Sequence, residues 1–266
     1  LGELKKIQNI SFWIVLSLVL LNIMTRLIVG FRIKIIGHAL NINLSIKEWF
    51  GLAAINSFYN YLFTKSGLMA VALYFKKKYE TPVSKYVITS ASAMLFSLLA
   101  ASLIVLPISV TLKVYGYDFG ILIIIFSVCL VFSSFLFFYK GKNLKRDGLF
   151  QKVNAVLEGW KILRASRNLW GKLLVCELLY FFLFSIRYFF VLQAFGYDAP
   201  LWVCFLLAPL SILSQLIGIF PGEVGSRELV AGLLTQSAGL GIHVGIMATA
   251  LDRVVVTAIA FILGPI

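Results

Sequence analysis

Charged residues are scarce in this sequence of 266 residues, and histidine, cysteine and proline are scarcer still. Asp, Glu, Lys and Arg together make up only 13% of the residues, about half the share of a soluble domain. This composition excludes a water-soluble globular domain. Stretches that alternate between apolar and polar residues are absent, which favours a helical bundle over a transmembrane β-barrel.

The few cysteines and histidines form no catalytic or metal-binding pattern. Cys129, Cys176 and Cys204 each lie in an apolar run, without a Cys-x-x-Cys spacing or a nearby histidine. We interpret them as packing residues, and we interpret His38 and His243 as interfacial residues near the ends of predicted spans. The sequence also offers no His-based dyad and no cluster of catalytic carboxylates. We therefore expect no catalytic residues, no metal, no cofactor and no enzymatic activity.

Apolar runs occupy most of the chain, and 61% of the residues are hydrophobic. Several windows of about 20 residues carry few or no charges, which is enough to cross about 30 Å of hydrocarbon. We predict an all-α integral membrane protein, a polytopic bundle of about six to eight transmembrane segments in a single domain over 1–266. The predicted apolar stretches are 11–29, 49–75, 84–112, 119–139, 170–195, 201–220 and 242–263, with a shorter helix from Ser226. The segment FRIKIIGHALNINLSIKEWF is expected to lie on the membrane surface.

The basic residues lie between the apolar runs and indicate topology rather than nucleic-acid binding, which we do not expect despite the net charge of +13. Four lysines at 76–85 and nine basic residues at 140–172 make up more than half of the 24 Lys and Arg residues. Because cytoplasmic loops are rich in Lys and Arg, 76–85 and 140–169 are predicted to face the cytoplasm, and the connections 114–120 and 196–200 to face outward.

Strict alternation of crossing helices has one favourable and one unfavourable consequence for the charges near the N-terminus. It puts Lys5 and Lys6 on the cytoplasmic side, as the rule requires. It also puts Arg32, Lys34 and Lys47 on the outer side, where basic residues are not expected.

The stretch FPGEVGSRE, at 220–228, interrupts an apolar region with helix breakers and charges. Pro221 and Gly222 should end one helix, while Gly225 and Ser226 supply a turn and an N-cap for a helix that begins at Arg227. Irregular backbone within the membrane requires a protein-lined or water-filled surrounding. The unpaired N–H groups of the new helix would suit a lipid phosphate. The alternative is a kinked helix in which the Glu and Arg side chains neutralise each other.

A second interrupted stretch, FTKSGLMAVAL, has a similar order of an aromatic residue, a break with glycine and a short apolar helix. Two broken or re-entrant helices in corresponding places are typical of an inverted-repeat transporter with its site near the midplane. The possible halves are 1–139 and 170–266, joined by the basic loop 140–169. This pairing would put Lys65 beside Arg227 in one cavity.

Further charges at membrane depth have structural interpretations. Arg26 lies near the end of the first predicted span and can extend to the interface. Glu177 and Arg187 are ten residues apart on one helix, too far for a direct pair, so they are expected to bond to other helices or to extend to the interface. Arg253 is as well suited to an ion pair with a glutamate of FPGEVGSRE as to contact with a substrate.

The residues of FPGEVGSRE resemble the Pro-Gly-Gly-x-Gly-x-x-Glu signature of the lysylphosphatidylglycerol synthase transmembrane-region family, which is a flippase-like membrane domain. The matching positions are Pro221, Gly222, Gly225, Arg227 and Glu228, followed by Arg253 in ATALDRVVV. Glu223 stands where the family usually has glycine. In the N-terminal half Asn56, Asn60 and Gly67 fit an Asn-rich span, but Thr64 and Leu68 replace the expected Pro and Glu.

The resemblance implies a stand-alone, flippase-like member without a synthase domain, in the cell membrane (the inner membrane where there are two). We expect it to move a lipid with an anionic or phosphate-bearing head group between leaflets. The alternatives are a non-transporting accessory subunit of lipid or lipid-linked glycan assembly and, less favoured, an intramembrane lipid-modifying enzyme. Expected partners are membrane lipids, a second copy of the chain or a membrane enzyme. The predicted site residues are Arg227, Glu228, Glu223, Gly222, Gly225, Ser226, Lys65, Asn60 and Arg253.

Overall fold

The computed structural model describes residues 11–63, 65–138, 157–163, 167–217 and 224–264, and these residues contain helices and no strand. The helices are α1 (Phe12–Ala39), α2 (Ile46–Leu62), α3 (Ser66–Tyr79), α4 (Val83–Val114), α5 (Gly120–Phe138), α6 (Arg167–Ala194), α7 (Leu201–Ile217), α8 (Ser226–Ser237) and α9 (Ile242–Leu263). Residues 157–163 are also helical.

Helix length and exposed apolar surface confirm the predicted class. Among the described residues, α1, α4, α6 and α9 are long and apolar enough to cross a membrane, and α5 and α7 are shorter apolar helices. Large apolar side chains such as Ile121, Val128 and Val254 are at least 63% exposed, as expected where lipid covers the surface. The protein is a multi-pass helical membrane protein.

Helices α2 and α3 form a re-entrant hairpin rather than a single span. Glu48 at the start of α2 accepts hydrogen bonds from Lys78 and Tyr79 at the end of α3, so both ends lie at the same level. At the tip, the backbone N–H of Gly67 donates to the side-chain oxygen of Asn60 (3.0 Å). A Cβ on Gly67 would collide with the backbone of α2, and the absence of one allows the two helices to touch.

The segments 76–85, 157–163 and 167–172 lie on one side of the bundle, which we call the basic face. The ring of Phe96 in α4 packs on Trp160 (5.4 Å between centroids), and Trp160 stacks on Trp170 at the start of α6. On the opposite face, the ring of Tyr117 contacts that of Trp202 at 5.3 Å. The two basic loops therefore share a face, as predicted, for as much of the second loop as the structure describes.

Helices α7, α8 and α9 form a counterpart to the first hairpin. α7 begins at the opposite face, and α8 packs against both α7 and α9. The side-chain hydroxyl of Thr235, near the end of α8, accepts a hydrogen bond from the backbone N–H of Gly245 in α9. A Cβ on Gly245 would collide with the backbone of Ala231, which makes the α8–α9 contact a backbone-to-backbone one. α8 thus runs from the middle of the bundle back toward the opposite face.

Helix lengths recur in the same order along the chain. α1 to α4 contain 28, 17, 14 and 32 residues, and α6 to α9 contain 28, 17, 12 and 22. The short helices α3 and α8 both begin at mid-depth and run toward different faces. An inverted repeat would produce this order, and the division into halves stays a prediction.

Two hydrophobic clusters lie one above the other along the bundle. One contains the ends of α1 and α3 with the start of α4 and residues 157–163, next to the basic face. The other contains the end of α4, most of α6, and parts of α7, α8 and α9, next to the opposite face. Polar side chains occupy the level between the clusters.

Two predictions about the N-terminal part are wrong. The FRIKIIGHALNINLSIKEWF segment does not lie on the surface as one element, because α1 continues to Ala39 and buries Ile33, Ile35 and Ile36. Nor do Arg32 and Lys47 lie toward the opposite face. The α2–α3 hairpin does not cross, so the end of α1 and the start of α2 lie toward the basic face, as positive residues should. Lys5 and Lys6 fall outside the described residues.

Candidate functional site

A polar cavity of about 250 Å³ lies at mid-depth, between the two hydrophobic clusters. Its wall is formed mainly by α1, α2 and α6, with single contributions from α4, α7, α8 and α9. The described polar residues that line it are Asn22, Thr25, Arg26, Arg32, Asn56, Ser57, Asn60, Tyr61, Ser97, Glu177, Tyr180, Arg187, Ser211 and Arg227. Four of these are arginines and one is an acid, so the cavity favours negative charge.

Arg26 lies in the middle of α1 and is only 4% exposed. Its Nε donates to Oδ1 of Asn22 (3.0 Å), one turn earlier in the helix. Its Nη2 donates to the backbone carbonyl of Val256 in α9 (3.0 Å). Its Nη1 is buried and has no hydrogen-bond partner among the residues that the structure describes. Its partners among the described residues are therefore neutral, and the prediction that Arg26 extends to the membrane interface is wrong.

Arg32 and Glu177 form an ion pair between α1 and α6. The guanidinium Nη1 lies 3.0 Å from Oε1 of Glu177, whose side chain is 3% exposed, while that of Arg32 is 37% exposed. The pair lies on the basic-face side of Arg26, since Arg32 follows Arg26 by six residues along α1. Glu177 bonds to another helix, as predicted.

Asp252 of α9 joins three helices through two arginines. Its Oδ1 lies 2.6 Å from Nε of Arg187 in α6, and its Oδ2 lies 2.8 Å from Nη2 of Arg227 in α8. Arg187 also approaches the hydroxyl of Thr25 in α1 at 3.5 Å. The Asp252 side chain is 1% exposed, so both ion pairs lie in a low-dielectric environment where a missing partner is costly.

The ring of Phe184 lies against both of these arginines. The guanidinium carbon of Arg187 is 4.5 Å from the ring centroid, and that of Arg227 is 4.7 Å from it. Arg227 also lies 5.7 Å from the ring of Tyr188. Cation–π contacts of this kind hold the two guanidinium planes in place beside the cavity.

The N-terminus of α8 is capped by the side chain of Glu228, in the first turn of the same helix. Oε2 of Glu228 accepts the backbone N–H of Gly225 (2.8 Å), and Oε1 lies 2.8 Å from Nη2 of Arg253. Gly225 has a φ of 86°, which glycine adopts without strain. Of the two alternatives that the sequence left for Arg253, the structure contains the ion pair.

The predicted site residues thus fall into three groups. Asn60, three residues before the FTKSGLMAVAL stretch, and Arg227 of FPGEVGSRE both line the cavity. The start of α8 contains Gly225, Ser226 and Glu228, and Arg253 is the ion-pair partner of Glu228. None of these four residues lines the cavity. Gly222 and Glu223 lie outside the described residues.

Lys65 is exposed and does not line the cavity. The residue adopts a left-handed conformation, with φ of 60°, at the tip of the α2–α3 hairpin. The contact expected between Lys65 and the cavity is therefore absent. Asn60, five residues earlier and within α2, lies at the wall.

Sequence reasoning did not identify most of the charged wall. Arg26 and Arg32 were assigned to a span end and a surface segment, and Arg187 and Glu177 to helix packing. A signal was present for the neutral wall, because NSFYNY places Asn56, Ser57 and Asn60 within an apolar stretch. Residues at i, i+1 and i+4 share one side of a helix.

One protein family, described as Lysylphosphatidylglycerol synthase TM region, matches residues 4–264. Searches among curated proteins and among solved structures return no significant match. Since the family match covers nearly the whole chain, the resemblance seen in FPGEVGSRE is confirmed, and the protein belongs to the lysylphosphatidylglycerol synthase transmembrane-region family.

Proposed function

We propose that this protein moves a membrane lipid with an anionic, phosphate-bearing head group between leaflets of the cell membrane. The observation that carries the proposal is the arginine-lined cavity at the middle of the bundle. Charged groups at membrane depth are costly and characteristically mark substrate pathways. Guanidinium groups bind phosphate oxygens through charge-assisted hydrogen bonds, which makes a phosphate-bearing head group the best-matched cargo.

The backbone around the cavity supports transport. α2 ends two residues after Asn60 and α8 begins one residue before Arg227, so an end of each short helix lies beside the cavity. Two interrupted helices that reach the midplane from opposite faces are the arrangement by which many transporters expose one site to either side. Membership of the lysylphosphatidylglycerol synthase transmembrane-region family agrees with a role in lipid handling.

A transporter fits the site better than an enzyme. The described polar residues at the wall are mainly arginines, amides and hydroxyls, which bind and orient an anion. The one acid among them, Glu177, is held in an ion pair. Transport needs binding that differs between two states of the protein and no covalent step. A second copy of the chain or a membrane enzyme that supplies the lipid is the proposed partner.

The test is a leaflet-exchange assay in liposomes. Wild-type protein should move a fluorescent phosphatidylglycerol between leaflets faster than it moves the matched phosphatidylcholine, whose head group has no net charge. Ser57→Trp puts an indole ring into the cavity from α2 and should abolish the exchange. Val128→Trp adds the same ring on the lipid-facing side of α5, where the native side chain is 63% exposed, and should leave the exchange unchanged.

Equal rates in wild-type and Ser57→Trp liposomes would show that lipid does not pass through this cavity. Absence of exchange with every labelled anionic lipid would remove the transport proposal. The accessory role, in which the buried ion pairs only hold helices together, would then take its place.

A further inference from the structure

We propose that Arg26 is the residue that binds the anionic group of the ligand, and that Arg187 and Arg227 are structural. This inference rests on the proposed function and assigns the contact within the same cavity. It reverses the expectation from sequence, in which Arg227 and the start of α8 hold the phosphate.

The first observation is the unequal pairing of the arginines. Asp252 holds both Arg187 and Arg227 at 2.6 and 2.8 Å, and Glu177 holds Arg32 at 3.0 Å. Arg26 forms no ion pair with any of the described carboxylates. Its partners are an amide oxygen and a backbone carbonyl, which accept hydrogen bonds but carry no negative charge to offset the guanidinium.

The second observation is the buried Nη1 of Arg26, which has no hydrogen-bond partner in the described parts of the chain. The residue lines the cavity and is 96% removed from solvent. Nε and Nη2 are fixed by their acceptors, so the guanidinium plane is held in one orientation. A charged donor with this geometry is complementary to an anionic oxygen, and the amide of Asn22 and the hydroxyl of Tyr61 at the same wall can contact the rest of the group.

The lack of a described carboxylate beside Arg26 has an energetic cost. An unpaired charge in a low-dielectric interior destabilises the folded protein, whereas the same charge binds an anion strongly when one arrives. Arg26 therefore lowers the stability of the folded protein and raises its affinity for an anion, a combination that is common among functional groups. Removal of a structural arginine such as Arg227 should have the opposite effect on stability. It leaves the buried carboxylate of Asp252 with one positive partner fewer and so destabilises the folded protein.

The test compares Arg26→Gln with Arg227→Gln in purified protein, and measures both melting temperature and binding of dodecyl phosphate, a single-chain lipid phosphate. Arg26→Gln should melt at a higher temperature than wild type and bind at least tenfold more weakly. Arg227→Gln should melt at a lower temperature, and its folded fraction should bind within about threefold of wild type. Arg26→Lys keeps the charge with fewer fixed donors, so its affinity should lie between those of wild type and Arg26→Gln.

Wild-type affinity of Arg26→Gln for dodecyl phosphate would overturn the assignment and leave the transport proposal intact. A lower melting temperature for Arg26→Gln would overturn the claim that its charge is uncompensated. If inorganic phosphate binds wild type as tightly as dodecyl phosphate, the ligand is a soluble anion and the lipid assignment fails. If wild type binds neither probe, this inference and the proposed function both fail.

Discussion

Replacing Asp252 with asparagine should be among the most damaging single changes of charge in this protein. The side chain is 1% exposed and neutralises two arginines whose side chains are 4% and 11% exposed. Removal of one partner of a buried ion pair typically costs about 3 to 5 kcal/mol, because a buried charge is left uncompensated. In a protein of this size, a loss of that magnitude lowers the melting temperature by about 6 to 20 °C.

The assay is thermal unfolding of purified protein in one detergent, with two comparison variants. Asp198→Asn makes the same chemical change on an exposed connection and should cost less than about 0.5 kcal/mol. Asp252→Asn alone leaves two buried arginines without their carboxylate. The double variant Asp252→Asn with Arg187→Gln removes one of them, so it should melt at a higher temperature than Asp252→Asn alone.

Two results would refute this reasoning about Asp252. One is a melting temperature for Asp252→Asn equal to that of Asp198→Asn, which would mean that the pairs are solvated. The other is a double variant as unstable as the sum of the two single variants, which would mean that the residues are not energetically coupled.

Two further predictions concern topology and the first hairpin. Single cysteines at Glu80 and Lys161 should react with an impermeant reagent from the same side of the membrane, and a cysteine at Asp118 from the other; reaction of all three from one side would contradict the described faces. Gly67→Ala should destabilise the protein by about 1 to 3 kcal/mol, because the added methyl group meets the backbone of α2. In the control Gly51→Ala, the methyl group meets nothing within 4 Å. Equal melting temperatures for these two variants would contradict the close approach at Gly67.

The helix breaks were predictable because glycine and proline act locally. The pair Gly225 and Ser226 indicated the start of a short helix, and α8 begins at Ser226. The glycine of FTKSGLMAVAL similarly indicated a break, and α2 ends at Leu62 before α3 begins at Ser66. Such signals depend on backbone conformation and need no knowledge of tertiary contacts.

The role of Arg26 was not predictable, because it depends on where α1 ends. Hydropathy ended the span at about Val29, which made Arg26 a terminal residue. α1 continues for ten more residues because Ile33, Ile35 and Ile36 pack against neighbouring helices, so Arg26 lies near the middle. Whether an arginine finds a carboxylate is also a tertiary property. Asp252 and Arg187 are 65 residues apart in sequence and in contact in space.

The backbone contact between α8 and α9 makes these two helices a rigid unit. At Gly245 the two helices touch through main-chain atoms, which have no rotamers to absorb a relative shift. Movement of Arg227 at the cavity must therefore displace the outer surface of α9, where Val254 is 66% exposed to lipid. A spectroscopic probe at Val254 would consequently report from the lipid side on any movement of the α8–α9 hairpin, without occupying the cavity itself.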